Sequence, residues 1–178
     1  ISVGTIGNGL SPGNLGAATN ASTNIVLGGG TLKYTGSTAT SDRAFTITAG
    51  TTGTIDVPTG VTLTLAGATG TTTTGALTKT NSGTLNLSGV NTYTGTTTIS
   101  AGTLAITGSG SLNSGSYAGS IVDNATFIYS SSATQTLSGV ISGTGALTKD
   151  TDTSSVLTLS NASNSYSGIT TISAGTIA

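Results

Sequence analysis

A block that occurs twice constrains this chain more than anything else in it. Residues 75–104 read GALTKTNSGTLNLSGVNTYTGTTTISAGTL, and residues 145–177 read GALTKDTDTSSVLTLSNASNSYSGITTISAGTI. Both copies keep GALTK, a Leu-x-Leu pair, Asn-x-Tyr-x-Gly and Ile-Ser-Ala-Gly-Thr in the same order. The second copy carries two extra residues before Leu157-x-Leu159 and one more before Tyr166. Insertions of that size between matching pieces belong in loops, since packed strands do not absorb them. The block therefore predicts a winding of short strands with corners of variable length.

Composition decides whether such a chain orders itself. Only 5% of it is charged, the net charge is -1, and His, Cys, Met, Trp and Glu are absent. Repulsion does not hold the chain open, and its apolar residues are patterned. Phe45-Thr46-Ile47-Thr48, Thr62-Leu63-Thr64-Leu65, Thr84-Leu85-Asn86-Leu87 and Leu157-Thr158-Leu159 alternate with the period of a strand. Thr and Gly are poor helix formers, and no window shows helical apolar spacing. No apolar run approaches the roughly 18 residues of a membrane span, so this segment is not expected to insert into a bilayer. The chain shows no signal peptide and does not begin with Met, which predicts a piece processed or cut from something larger. Lys33, Arg43, Lys79 and Lys149 lie scattered among five Asp, which excludes a basic stripe for nucleic acid.

Short strands are expected at 24–27, 31–34, 45–48, 54–57 and 61–65, then at 103–107, 120–122, 126–129 and 135–138, outside the repeated blocks. Such strands build a sandwich, a barrel or a solenoid, and the internal repeat selects the solenoid. Apolar pairs spaced one residue apart set its pitch. Ile25/Leu27, Phe45/Ile47, Leu63/Leu65, Leu85/Leu87 and Leu104/Ile106 follow one another at intervals of about 18–22 residues, one turn of a coil of about three strands. Stacked turns place these side chains in interior ladders and leave Thr62, Thr64, Thr84, Asn86 and Thr158 facing out. At roughly 4.8 Å per rung, about eight rungs make a rod on the order of 40 Å long.

These runs resemble the passenger-associated repeats of bacterial autotransporters. The likeness is carried by residues 75–104, by GGGTLKYTGSTATSDRAFTITAGTTGTID at 28–56 and by YSSSATQTLSGVISGTGALTK at 129–149. The resemblance implies a right-handed parallel β-helix, spanning 1–178 as a single segment. It also implies a secreted or outer-membrane-associated surface protein of a Gram-negative bacterium, used as an adhesive or spacer stalk. No particular ligand follows from it.

The two ends match each other in sequence. Ile177-Ala178 followed by Ile1 completes the pattern Leu104-Ala105-Ile106, and an uncapped solenoid end invites another rung. The expected partner is therefore a further copy or a further stretch of the same array, joined head to tail and in register at both ends.

Catalysis finds little material, because without His, Cys or Glu acid–base work falls to Asp, Lys or Tyr. No catalytic residue, cofactor or metal site is expected. Adjacent Asp42 and Arg43 read as a loop ion pair, Asp150-Thr151-Asp152 as a solvated loop against the alternative of a cation site, and Asp56 and Asp123 as turn residues. Gly28-Gly29-Gly30 lacks the Lys and helix of a phosphate loop and is a corner. Tyr93 and Tyr166, with Asn91 and Asn164, admit two readings. They are surface contacts for host or environmental glycans, or corner plugs whose Asn side chains bond turn backbone. Outward Thr-x-Thr pairs, Thr46/Thr48 and Thr62/Thr64, raise ice binding as a further alternative, although Thr also simply suits exposed strand positions. The leading expectation is a non-enzymatic, extracellular structural or adhesive β-helix.

Overall fold

A single winding shows how alternation becomes a tube. In Ala76–Thr80 the residues Leu77 and Lys79 are buried while Ala76, Thr78 and Thr80 are half-exposed, and Thr84–Leu87 repeats the pattern with Leu85 and Leu87 inside. The chain then turns through Val90–Asn91 and begins the next winding at Thr97–Ile99, which lies directly beside Ala76–Thr80. One coil is thus three short strands around a common interior. The computed structural model, which describes residues 1–150 and 154–178, repeats this unit along the chain.

Every strand pairing is parallel. The first face stacks Ser2–Val3, Thr31–Tyr34, Thr52–Asp56, Ala76–Thr80, Thr97–Ile99, Ile121–Asp123 and Ile141–Ser142. The second stacks Ala39–Ser41, Thr62–Leu65, Thr84–Leu87, Thr103–Gly108, Thr126–Ser131, Ala146–Lys149 and Thr170–Ile172. The third is interrupted. Val26–Leu27 pairs with Thr46–Ile47, Val90–Asn91 with Ser111–Leu112, and Ser116–Tyr117 leads a stack through Gln135–Leu137 and Val156–Leu159 to Thr176–Ile177. The architecture is an all-β parallel solenoid whose two long sheets are each seven strands deep, so the winding makes about seven turns where about eight were expected. Among the described residues helix is confined to the short turns Ser22–Asn24 and Asn113–Gly115, and none is long and apolar enough to cross a membrane.

The interior holds continuous columns on the second face. Leu63, Leu85, Leu104, Phe127 and Leu147 stand in register, as do Leu65, Leu87, Ile106 and Tyr129. All nine are buried. The sequence-based ladder needs one correction. Ile25/Leu27 and Phe45/Ile47 do not continue this column: Leu27 pairs with Ile47 on the third face, and the neighbour of Leu63–Leu65 on the second face is Ala39–Ser41. A pair spaced by two residues reports which way a side chain points, not which wall of the tube carries it. Both repeated blocks obey this too, for GALTK lies on the first face in one copy and on the second face in the other.

One corner is a column of glycines. A Cβ built on Gly95, Gly119 or Gly139 falls 2.4, 2.6 or 2.2 Å from the carbonyl oxygen of Gly75, Gly95 or Gly119, the glycine one coil earlier. Backbone packs on backbone there, and only a residue without Cβ fits.

Candidate functional site

The tyrosines singled out in the sequence follow from the same inside–outside parity. Asn91 and Tyr93, two apart, both turn inward at the corner between the third and first faces and are 1% and 2% exposed. The Tyr93 hydroxyl lies 3.1 Å from Thr97 Oγ1, which in turn lies 2.8 Å from the Tyr117 hydroxyl. Tyr117 donates to the Gly95 carbonyl, so the protons run Tyr93 to Thr97 to Tyr117 to backbone. The two rings meet edge to face with centroids 5.9 Å apart. Burial pushes both phenols above their ordinary range, and the neighbouring Tyr117 adds to the rise at Tyr93. Asn91 Nδ2 donates to the carbonyls of Gly89 (2.8 Å) and Ser111 (3.3 Å).

Tyr93 and Asn91 are therefore not surface contacts; they plug a corner and satisfy its backbone. Their counterparts sit in the last coil. Tyr166 is half-buried with its hydroxyl 2.7 Å from Thr170 Oγ1, the same four-residue step as Tyr93 to Thr97. Asn164 Oδ1 accepts the backbone N–H of Ile141 at 2.8 Å. The glycan-binding reading loses its aromatic platform. Ice binding loses its flat array as well, since Thr46 stands on the third face and Thr62/Thr64 on the second, while Thr84 is followed by Asn86.

Charge is distributed in a way the composition conceals. Arg43, Lys79 and Lys149 are buried, at 1%, 0% and 0% exposure, and Lys33 alone of the basic side chains is exposed. Lys79 Nζ donates to the carbonyls of Thr80, Asn81 and Ala101 at 2.7, 2.7 and 3.3 Å, so it closes a corner that would otherwise leave those oxygens unmatched. Desolvation lowers its pKa to about 8, with Asp56 opposing. Lys149 Nζ sits 5.8 Å from the centroid of the Tyr129 ring. Asp123 is buried, accepts the Ala125 N–H at 3.0 Å, and has its pKa raised by burial.

Asp42 and Arg43 do not pair with each other. Asp42 accepts Gly9 N–H and Asn20 Nδ2 outside the tube, whereas Arg43 turns inward onto the carbonyls of Gly7 and Gly16. Alternation sends neighbours to opposite sides, and a loop ion pair is geometrically unavailable. Asp150 is exposed, while the paired Asp152 lies outside the described residues. Among the described residues no three metal-ligating side chains gather.

What the solenoid offers to solvent is hydroxyl groups in register. Thr31, Thr54, Thr78 and Thr98 form one outward column on the first face. Thr62, Thr84, Thr103 and Thr126 form another on the second. The sequence pointed to Thr46, Thr48, Thr62, Thr64, Thr84 and Thr158 as outward threonines and to none on the first face; the parity of Leu32, Ile55 and Leu77 carried the signal for the first-face column.

Comparison with known proteins places this geometry. The family model described as passenger-associated-transport-repeat matches residues 77–106 and 154–178. The adhesin BmaC autotransporter of Brucella suis biovar 1 (strain 1330) is 45% identical over 209 residues, an alignment that covers 99% of this chain and 6% of that protein. The chain thus spans a small fraction of the length of the curated relative it matches. No solved structure matches.

Proposed function

The chain carries autotransporter passenger repeats, and on that premise we propose that it is an extracellular, adhesive β-solenoid stretch of a Gram-negative surface protein, secreted or held at the outer membrane. The observation that carries this reading is the identity with an adhesin along nearly the whole chain rather than at a few motifs. Its mechanism is mechanical first. Parallel backbone ladders and an aliphatic interior make a stiff rod from a sequence with almost no charge, and a rod carries contact groups away from the membrane. The contact surface is the pair of outward Thr columns, whose hydroxyls repeat at the inter-strand spacing of about 4.8 Å and meet a host or environmental surface many at a time. Individually weak contacts suffice when they are repeated. The reading is non-enzymatic: of the buried ionisable groups, Arg43, Lys79 and Asp123 are occupied with backbone atoms and Lys149 faces the Tyr129 ring.

The test is a bead assay. Beads bearing the purified chain are counted on cultured host cells beside beads bearing a variant with Thr54, Thr78, Thr84 and Thr103 changed to Lys. The parent chain is expected to retain several-fold more beads than the variant, at equal circular dichroism. Retention no better than albumin-coated beads contradicts adhesion by this stretch.

A further inference from the structure

Asn8-Gly9 is the one Asn-Gly step in the chain. In such a step the glycine nitrogen can close a five-membered ring onto the asparagine side-chain carbonyl and expel ammonia, and no Cβ on the second residue obstructs the approach. Asp42 meets this step and holds both reacting groups at once. Its Oδ1 accepts the Gly9 N–H at 2.7 Å, and its backbone N–H donates to Asn8 Oδ1 at 3.1 Å.

Two separate stretches of the winding build this arrangement. Asn8 and Gly9 belong to the loop at residues 7–20, whereas Asp42 follows the second-face strand Ala39–Ser41. Alternation sends Ser41 and Arg43 inward and leaves Asp42 between them turned out toward the loop. Both neighbours fix the residue before Asn8: buried Ser41 donates from Oγ to Gly7 O at 2.6 Å, and buried Arg43 reaches Gly7 O and Gly16 O at 3.3 and 2.7 Å. Asn20 Nδ2 donates to the second Asp42 oxygen at 3.4 Å, so the carboxylate is held on both sides. A cleft of about 170 Å³, bounded by Gly9, Leu10, Thr19, Asn20 and Asp42, opens these atoms to water, and Asn8 itself is exposed.

We propose that Asn8 is a self-modification site, which Asp42 drives through a succinimide to aspartate and isoaspartate. The proposal is independent of adhesion. As the Gly9 nitrogen bonds to Asn8 Cγ its N–H turns acidic, and the Asp42 carboxylate takes that proton as general base. The oxygen that gains charge is Asn8 Oδ1, and the Asp42 N–H already points at it. The bond from Cγ to Nδ2 then breaks, and ammonia leaves with the proton that Asp42 held. One water adds to either succinimide carbonyl and opens the ring, leaving a carboxylate at position 8 on a normal or a lengthened backbone. One water is consumed, one ammonia is released and no electrons are exchanged. That single carboxylate takes the net charge from -1 to -2. It stands beside Asp42, and the repulsion loosens the loop from the second coil, so the reaction acts as a slow clock on that contact.

Peptide mapping by mass spectrometry tests this, with the folded chain incubated in warm neutral buffer beside the same chain in denaturant. The folded chain is expected to convert Asn8 at least about 10-fold faster than the unfolded one. Fragmentation should locate isoaspartate at position 8, and ion exchange should show the added negative charge. Asp42→Asn keeps an oxygen for the Gly9 N–H but removes the base, and should slow the folded chain by at least about 10-fold. Asp56→Asn, at a carboxylate bonded to Thr80 and Asn81 instead, is expected to leave the rate unchanged. A folded chain that converts Asn8 no faster than the unfolded one overturns the proposal, because the same contacts would then be shielding the amide. A folded Asp42→Asn variant with the parental rate overturns it as well. If that variant does not fold, the comparison of folded and unfolded parent decides.

Discussion

Lys79 and Lys149 end the two GALTK copies, yet they stand on different walls of the solenoid. Lys79 is the ladder neighbour of Ile99 on the first face, and Lys149 that of Tyr129 on the second. Both point inward and both are buried. The copies are therefore displaced by one face as well as by several turns, and equivalent residues never stack on one another. The repeat unit is a strand–corner vocabulary that any wall can use, because each wall demands the same alternation.

Putting cations inside a nearly uncharged protein gives an unusual pH profile. Lys79 has its pKa lowered from the ordinary 10.5 to about 8, so the unfolded chain binds more protons than the folded one between those values, and stability rises with pH there. The full gain corresponds to about 3 kcal/mol, although buried Tyr93 and Tyr117, whose pKa values are raised, begin to reverse it above about pH 10. Asp123 acts in the opposite direction: its pKa is raised, so stability falls as pH climbs through its titration and recovers on acidification. Denaturant midpoints across pH are expected to pass through a minimum near neutrality. Lys79→Met should flatten the alkaline rise and Asp123→Asn the acid one. A maximum near neutrality contradicts the interior placement of both charges.

Leu85 sits between Leu63 and Leu104 in the second-face column and is fully buried. Leu85→Ala removes contacts to both neighbouring rungs and should cost about 2–5 kcal/mol. Leu85→Asp adds an unpaired buried carboxylate and should abolish cooperative unfolding altogether. Circular dichroism and thermal melting report both. An Asp variant that melts like the parent would show that the side chain faces water.

The glycine corner predicts a position-specific intolerance. Gly119→Ala places a methyl 2.6 Å from both the Gly95 carbonyl oxygen and the buried Tyr117 ring, and since backbone on one side and a packed ring on the other hold their places the coils must part to admit it. A loss of about 2–3 kcal/mol is expected, seen as a fall in Tm of roughly 5–10 °C for a chain of this size. Gly30, which has open space around it, provides the control. Gly30→Ala should leave Tm unchanged, and equal effects at the two sites contradict the close stacking.

Much of this fold was legible in single residues. Thr31–Tyr34 and Thr62–Leu65 announce themselves by alternation, and the interval between Leu63, Leu85 and Leu104 fixes the pitch. The buried charges were legible too, for Lys79 follows Leu77, Lys149 follows Leu147 and Asp123 follows Ile121 at the inward step of two. Charge alone argued for the outside, and backbone groups at the corners reversed that argument by supplying the partners water would have provided, carbonyls for Lys79 and the Ala125 N–H for Asp123. Tyr93 obeys the same step after Asn91. What alternation does not carry is the wall. Phe45/Ile47 and Leu63/Leu65 look alike in sequence and stand on different faces, because corner lengths rather than strand patterns set how far the chain has turned. The loop at residues 7–20 was illegible for a further reason: its contacts run to Ser41, Asp42 and Arg43, one full coil away, and nothing periodic in Gly7 to Asn20 announces them.

In-register stacking is the claim on which both stiffness and the hydroxyl columns depend, and a distance between two outward sites measures it directly. Thr40, Thr64, Asn86, Ala105, Ile128 and Thr148 stand in register in one column on the second face, whose ends Thr40 and Thr148 are exposed and half-exposed although Ala105 within it is buried. The chain has no Cys, so Thr40→Cys/Thr148→Cys accepts two spin labels and no others. Five inter-strand steps give a separation of about 24 Å, and pulsed electron–electron double resonance is predicted to return a single narrow distribution near that value. A broad distribution, or a peak displaced by more than two steps, would mean that these residues do not lie on one wall of one tube.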